Sequence, residues 1–99
     1  MNYRVTLSHT AADDLVALEE WLVAHGGEDV ADRYIERVER RIATLDQFPN
    51  RGTPHDDLLT GLRSLSFERR PIIYYRVLDT DVEVLRVVGA AQDQRRLFG

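Results

Sequence analysis

The chain has 99 residues, 43% hydrophobic and 30% charged, with a net charge of −4, and that length holds one domain. It contains no Cys, which excludes a disulfide scaffold, a thiol nucleophile and a thiolate metal site. All 13 basic residues are Arg, so no Lys is present to act as base, nucleophile or phosphate-binding point charge.

Divided at residue 60, the charge is uneven. Residues 1–60 hold six Arg against twelve acids, a balance of −6, and residues 61–99 hold seven Arg against five acids, a balance of +2. The acidic total argues against strong nucleic-acid binding over the whole surface, while the C-terminal part keeps a local basic region. The apolar runs are too short to span a membrane. No signal-peptide pattern opens the chain, so the expected location is cytoplasmic.

Asn2 to Leu7 alternates, with Tyr3, Val5 and Leu7 on one side, and reads as a half-buried strand. Ser8 and Thr10 are candidate helix N-caps, and Thr10 with Asp13 resembles a capping box. Asp13 and Asp14 then fall in a first helical turn. Ala11, Leu15, Leu18 and Leu22 form one helical stripe, which Gly26-Gly27 ends. A second helix opens at Glu28 and carries Ala31, Tyr34 or Ile35, Val38, Ile42 and Leu45 as its stripe until Phe48-Pro49 stops it. The two helices are expected near residues 10–25 and 29–47 as an antiparallel hairpin.

After a polar loop over residues 50–60, Leu62–Phe67, Ile72–Val77 and Val82–Val88 read as strands. The last residues read as a short helix or a tail. The expected architecture is therefore α+β, in the order β-α-α-β-β-β, with the helical hairpin packed on a mostly antiparallel four-stranded sheet. It forms a single domain over residues 1–99. A turn at Asp79-Thr80 sets Arg76 opposite Glu83 and Tyr74 opposite Leu85. Pairing Phe67 with Ile72 puts Leu65 opposite Tyr74 and Arg63 opposite Arg76. The helices are then expected on the face of Leu65, Phe67, Ile72, Tyr74, Leu85 and Val87. The reverse face, with Tyr75, Val82 and Val84, is left for a partner to cover.

His9, His25 and His55 lack metal-site spacing, and Gly26-Gly27 has no accompanying phosphate-loop residues, so neither a metal nor a cofactor is expected. The helical carboxylates read as solvated outer faces, Trp21 as packing, and Arg76 as an ion-pair partner of Glu83. Arg63 is left open between a structural and a functional role.

An ordered set of residues carries a family resemblance. Leu7-Ser8, Arg33-Tyr34, Phe48-Pro49 with Gly52, Leu62-Arg63, Tyr75-Arg76-Val77, Leu85-Arg86-Val87, Gln92-Asp93 and Leu97-Phe98 together resemble the RelE/ParE superfamily of bacterial type II toxins. The resemblance spans nearly the whole chain. It implies a toxin held inactive by a cognate antitoxin in a hetero-oligomer, meeting operator DNA only through that antitoxin, with no membrane role. RelE-like members cleave messenger RNA on the ribosome, whereas ParE-like members inhibit DNA gyrase. The RNA-cleaving branch draws on basic residues where this chain has Leu65, Phe67 and Gly89-Ala90-Ala91-Gln92. Gly61-Leu62-Arg63-Ser64-Leu65 followed by Glu68-Arg69 and Pro71 resembles the ParE-like branch more closely. The sequence therefore favours a gyrase inhibitor with no catalytic residues over its alternatives. These are a ribosome-dependent endoribonuclease and a degenerate, antitoxin-binding module. Candidate target contacts are Arg63, Arg69, Arg70, Arg86, Arg95 and Arg96, and candidate antitoxin contacts are Tyr75, Val82 and Val84.

Overall fold

Strand β1 (Arg4–Leu7) leads into helices α1 (His9–Gly26) and α2 (Glu28–Ala43), and α2 runs on into a single 3-10 turn over Thr44–Asp46. The short β2 (Thr53–Pro54) precedes β3 (Leu62–Ser66), β4 (Ile72–Val77) and β5 (Asp81–Val88), and α3 (Gln94–Phe98) follows. The computed structural model describes residues 2–68, 71–89 and 94–98.

Ser8 caps α1: its hydroxyl oxygen accepts the Ala11 N–H at 3.0 Å. The helix therefore starts ahead of the Thr10–Asp13 pair, and Asp13 and Asp14 belong to its second turn. At the other end Gly27 takes φ +87° and returns its N–H to the Val23 carbonyl at 3.0 Å. A side chain would strain that backbone, so the glycine lets α2 begin at once and fold back along α1.

The sheet has five strands in the order β1-β5-β4-β3-β2, not the four expected. β1 runs parallel to β5, with Val5 beside Val82 and Leu7 beside Val84, and the remaining pairs are antiparallel. The added strand is β2, where Thr53 pairs with Ser64 and Pro54 with Arg63. Two residues are too few to show alternation in a sequence, and Pro54 sits on an outer edge, where its missing N–H breaks no ladder.

The expected faces are partly exchanged: Leu65, Phe67 and Val87 lie on the helical side as expected, but Ile72, Tyr74 and Leu85 turn to the other side and Ile73, Tyr75, Val82 and Val84 take their place. At the β3–β4 turn the Phe67 N–H bonds the Pro71 carbonyl at 3.0 Å, so the ladder pairs Leu65 with Ile73 and Arg63 with Tyr75. That is one residue away from the expected register, and a slip of one turns every side chain over. The β4–β5 ladder keeps Arg76 opposite Glu83 and continues to Tyr75 opposite Val84. It then bulges, so Tyr74 faces Arg86 in place of Leu85.

As a result Ile73, Tyr75, Val82 and Val84 lie fully buried with Leu65, Phe67 and Val87 against Ala11, Leu15, Val38, Ile42 and Leu45 of the helical layer. Tyr75, Val82 and Val84, expected to meet an antitoxin, are 0% exposed within the chain itself and offer no surface to a partner. The reverse face is covered by the protein's own chain. Leu62, Tyr74 and Val88 are buried there beneath Leu58 and Leu59 of the loop and Leu97 and Phe98 of α3, with the Tyr74 and Phe98 rings edge to face at 5.0 Å.

The loop between α2 and β2 is fixed tightly against this core. Gly52 is buried, and a Cβ there would lie 2.5 Å from the Tyr75 hydroxyl and 2.7 Å from the Ser64 carbonyl oxygen. Because the second neighbour is backbone, the loop has to move to admit any side chain. Gly52→Ala is expected to lower the unfolding free energy by about 1–3 kcal/mol, measured as a reduced urea midpoint at unchanged slope.

Candidate functional site

Helix α1 divides into two unlike halves. Its first half buries Ala11 and Leu15 in the core, while Leu18 and Leu22 further along are only half-buried and Trp21 is 53% exposed. Between that second half, Tyr34 of α2, and Pro71, Val87 and Val88 at the end of the sheet lies an open groove of about 550 Å³. Trp21 forms one wall, and its ring stacks on His25 with centroids 4.1 Å apart. His25 is tied back through Nδ1 to the Trp21 carbonyl at 2.8 Å. The ring is thus an exposed, stacked wall and not the plain packing residue its position in the sequence suggests.

The floor of the groove is a strand edge. β1 ends at Leu7, opposite Val84, but β5 continues to Val88. Side chains of the α1 segment take over part of the missing neighbour's bonding: the Ser8 hydroxyl donates to the Leu85 carbonyl at 2.9 Å, and the Asp14 carboxylate accepts the Val87 N–H at 2.9 Å. Asp14 also receives a forked bond from Arg86, Nε at 2.8 Å and a terminal nitrogen at 3.1 Å. That bond raises the Arg86 pKa, the carboxylate outweighing the opposing effect of burial. Asp14 was read from the sequence as a solvated carboxylate. It is instead the residue that joins α1 to the end of the sheet.

A second cluster lies under the α2–β2 loop. Arg63 donates from one nitrogen to the carbonyls of Asn50, at 3.0 Å, and Gly52, at 2.8 Å, and the Tyr75 hydroxyl accepts the Gly52 N–H at 3.0 Å. Burial raises the Tyr75 pKa, only partly offset by that bond and by the positive charge of Arg63 and Arg51. The phenol therefore stays neutral at physiological pH and is no proton acceptor. On the opposite face the His55 Nε2 lies 2.7 Å from the Ser64 hydroxyl. Among the described residues no carboxylate orients the other ring nitrogen, and no cluster of three or more His, Cys, Asp or Glu could hold a metal.

The four described candidate arginines have separate roles and settings. Arg63 clamps the loop, Arg86 is engaged by Asp14, and Arg95 and Arg96 are exposed on α3. Arg69 and Arg70 lie outside the described residues. Arg76 makes the expected cross-strand pair, with two of its nitrogens 3.3 Å from the same Glu83 oxygen.

The sequence and the fold both have known relatives. The family profile for the ParE toxin of the type II toxin–antitoxin system parDE matches residues 5–94. Toxin ParE3 of Caulobacter vibrioides is 27% identical over 96 residues, spanning 97% of this chain and 95% of that protein. A solved chain of the chromosomal ParDE system from P. aeruginosa superposes with a TM-score of 0.77 at 25% identity, over 88% of this chain and 95% of that one. The solution structure of the Helicobacter pylori protein HP0894 shares the fold, with a TM-score of 0.53 at 15% identity over 93% of this chain and 98% of that one.

Removing either partner of the α1–β5 fork leaves the other half-buried and without its counter-charge. Asp14→Ala and Arg86→Ala are each expected to cost about 1.5–3 kcal/mol in chemical denaturation. The double variant should cost clearly less than the two together, the coupling of about 0.5–3 kcal/mol marking direct contact.

Proposed function

Because the chain belongs to the ParE toxin family of type II toxin–antitoxin systems, we propose that it arrests bacterial growth in the cytoplasm by binding and inhibiting DNA gyrase, and that a cognate antitoxin silences it from the groove along α1. The observation that carries the first part is what has become of the strand where RNA-cleaving relatives would place basic residues. Leu65 and Phe67 are buried in the core beneath the helices, and Arg63 gives one guanidinium nitrogen to two loop carbonyls. RNA cleavage through the 2′-hydroxyl needs a proton acceptor beside charge that stabilises the phosphate. A guanidinium is a poor acceptor at neutral pH, and Tyr75 is held neutral. An inhibitor that works by occupancy needs complementary surface and placed charge but no general base.

The antitoxin reading rests on the groove. Leu18, Trp21, Leu22, Val87 and Val88 line a concave apolar surface beside the end of β5 that extends past β1, and it is large enough for the apolar side chains of a helix or an extended segment. It takes the place of Tyr75, Val82 and Val84 as the contact region. The complex is a hetero-oligomer, and operator DNA is reached only through the antitoxin.

Added to purified gyrase, the protein is expected to inhibit supercoiling, and added to programmed ribosomes it should leave the message intact. Cleavage of message at defined codons with normal supercoiling would replace this reading with the endoribonuclease. Trp21→Ala should weaken antitoxin binding by about tenfold or more, as expected for a central aromatic anchor, while growth arrest by the free toxin persists. Unchanged affinity by titration calorimetry would move the antitoxin off the groove.

A further inference from the structure

Phe48 is the most exposed large hydrophobic residue described, at 62%, although its surroundings are not those of a loose loop tip. Its neighbour Pro49 is buried, and its N–H bonds the Thr44 carbonyl at 3.3 Å. Two residues before it the Asp46 carbonyl accepts the Tyr3 N–H at 2.8 Å. Beyond it, Asn50 and Gly52 are held by Arg63, and Gly52 also by Tyr75. The backbone is anchored on both sides of a ring left in solvent. Relaxation into the core is open to a mobile segment, but not to this one.

Charge around the ring is mostly of one sign. Phe48 borders a depression of about 410 Å³ whose lining includes Arg40, Arg51 and the small Ala43, with Asp46 as the acid in its wall. Arg40 and Arg41 lie in the last turn of α2, where they complement the helix dipole. Arg51 lies outside that turn: a terminal nitrogen donates to the Thr44 hydroxyl at 3.2 Å, its charge acts on Tyr75 from a distance, and the residue is exposed. A rigid exposed aromatic between arginines is the side-chain chemistry of an interface hot spot, with its ordering cost already met by the fold.

We propose that Phe48, Arg40 and Arg51 form the surface by which the protein grips its target, and that the occupant is an acidic protein surface with an apolar recess for the Phe48 ring. The proposal rests on the reading of the protein as an occupancy inhibitor. A protein partner is favoured over nucleic acid because Asp46 and Glu36 stand within or beside the patch, Glu36 paired with Arg40 at 3.5 Å, and because the whole chain is acidic. The patch is also remote from the antitoxin groove. One lies at the C-terminal end of α2, the other along the second half of α1, and the two helices run in opposite directions from Gly27.

The experiment compares wild type with Phe48→Ala, Arg51→Glu and Phe48→Trp, each induced without antitoxin, for growth arrest. Antitoxin co-purification is measured for every variant as the control for folding. Phe48→Ala and Arg51→Glu should bind antitoxin normally yet need about tenfold more protein to arrest growth, and Phe48→Trp should retain activity. Arrest by Phe48→Ala and Arg51→Glu at wild-type levels would overturn the proposal, whatever the gyrase assay returns. Loss of antitoxin binding in both would also overturn it, since the residues would then be structural. If wild type arrests growth without inhibiting supercoiling, the gyrase reading falls, and the same comparison still decides the surface. Binding of wild type to a plain fluorescent DNA duplex, abolished by Arg51→Glu, would make the occupant nucleic acid. Self-association of wild type abolished by the same change would make it a second copy. Either result overturns the acidic-protein assignment.

Discussion

One sheet with two apolar faces, in a chain of 99 residues, is the constraint on which the rest of the structure depends. Tyr74 and Tyr75 are adjacent in β4, point to opposite faces, and are both buried. Two helices can cover only one of those faces. The other is closed with what remains, a loop carrying Leu58 and Leu59 and a helix of five residues carrying Leu97 and Phe98. A small domain has little buried surface to spare, and here the helical cover lies over Leu65, Phe67, Ile73, Tyr75, Val82, Val84 and Val87. The second half of α1 is left overhanging the end of the sheet. The groove follows from that shortage.

The overhang is held by polar bonds where apolar contact is thin. Ser8 and Asp14 reach from the α1 segment to backbone groups of β5 that lie beyond the end of β1, and Arg86 returns a forked bond to Asp14. These contacts satisfy part of a strand edge that would otherwise be open to pairing. The same economy applies to the α2–β2 loop, where Arg63 and Tyr75 bind backbone groups of Asn50 and Gly52. Both side chains are used here to hold chain segments in place. Arg63, which the sequence alone left open between structure and function, has the geometry of a clamp.

A toxin must present one surface to its target and yield to its antitoxin through the same surface or another. The apolar groove beside Trp21 and the basic ledge around Phe48 lie at different ends of the helical hairpin and differ in chemistry. An apolar concave surface suits a ligand that brings its own hydrophobic side chains, whereas a rigid aromatic flanked by arginines suits a folded, acidic one. With the antitoxin in the groove and the target on the ledge, as proposed, neutralisation would require an antitoxin long enough to cover both surfaces, or one whose bulk blocks the approach of the target.

The sequence by itself determined the family, the α+β class, both helices with their stripes, the three long strands and the Arg76–Glu83 pair, and it narrowed the α1 cap to Ser8 or Thr10. Each of these is a local pattern or an ordered set of residues. Phe48 was also legible in principle: the stripe Ile35, Val38, Ile42, Leu45 continues in step to the buried Pro49, and Phe48 falls out of phase. Only the tertiary structure decided which face of the sheet the helices cover. Alternation specifies a face when one side of a strand is polar, but Ile72-Ile73-Tyr74-Tyr75 is apolar on both, so its pattern reads equally well in either register. The choice fell to the Phe67–Pro71 closure and to the bulge at Leu85. A shift of one residue there moved Tyr75, Val82 and Val84 from the expected interface into the core. The partners of Asp14 were equally out of reach of the sequence, because they lie more than seventy residues away and only the packing of α1 across β5 brings them together.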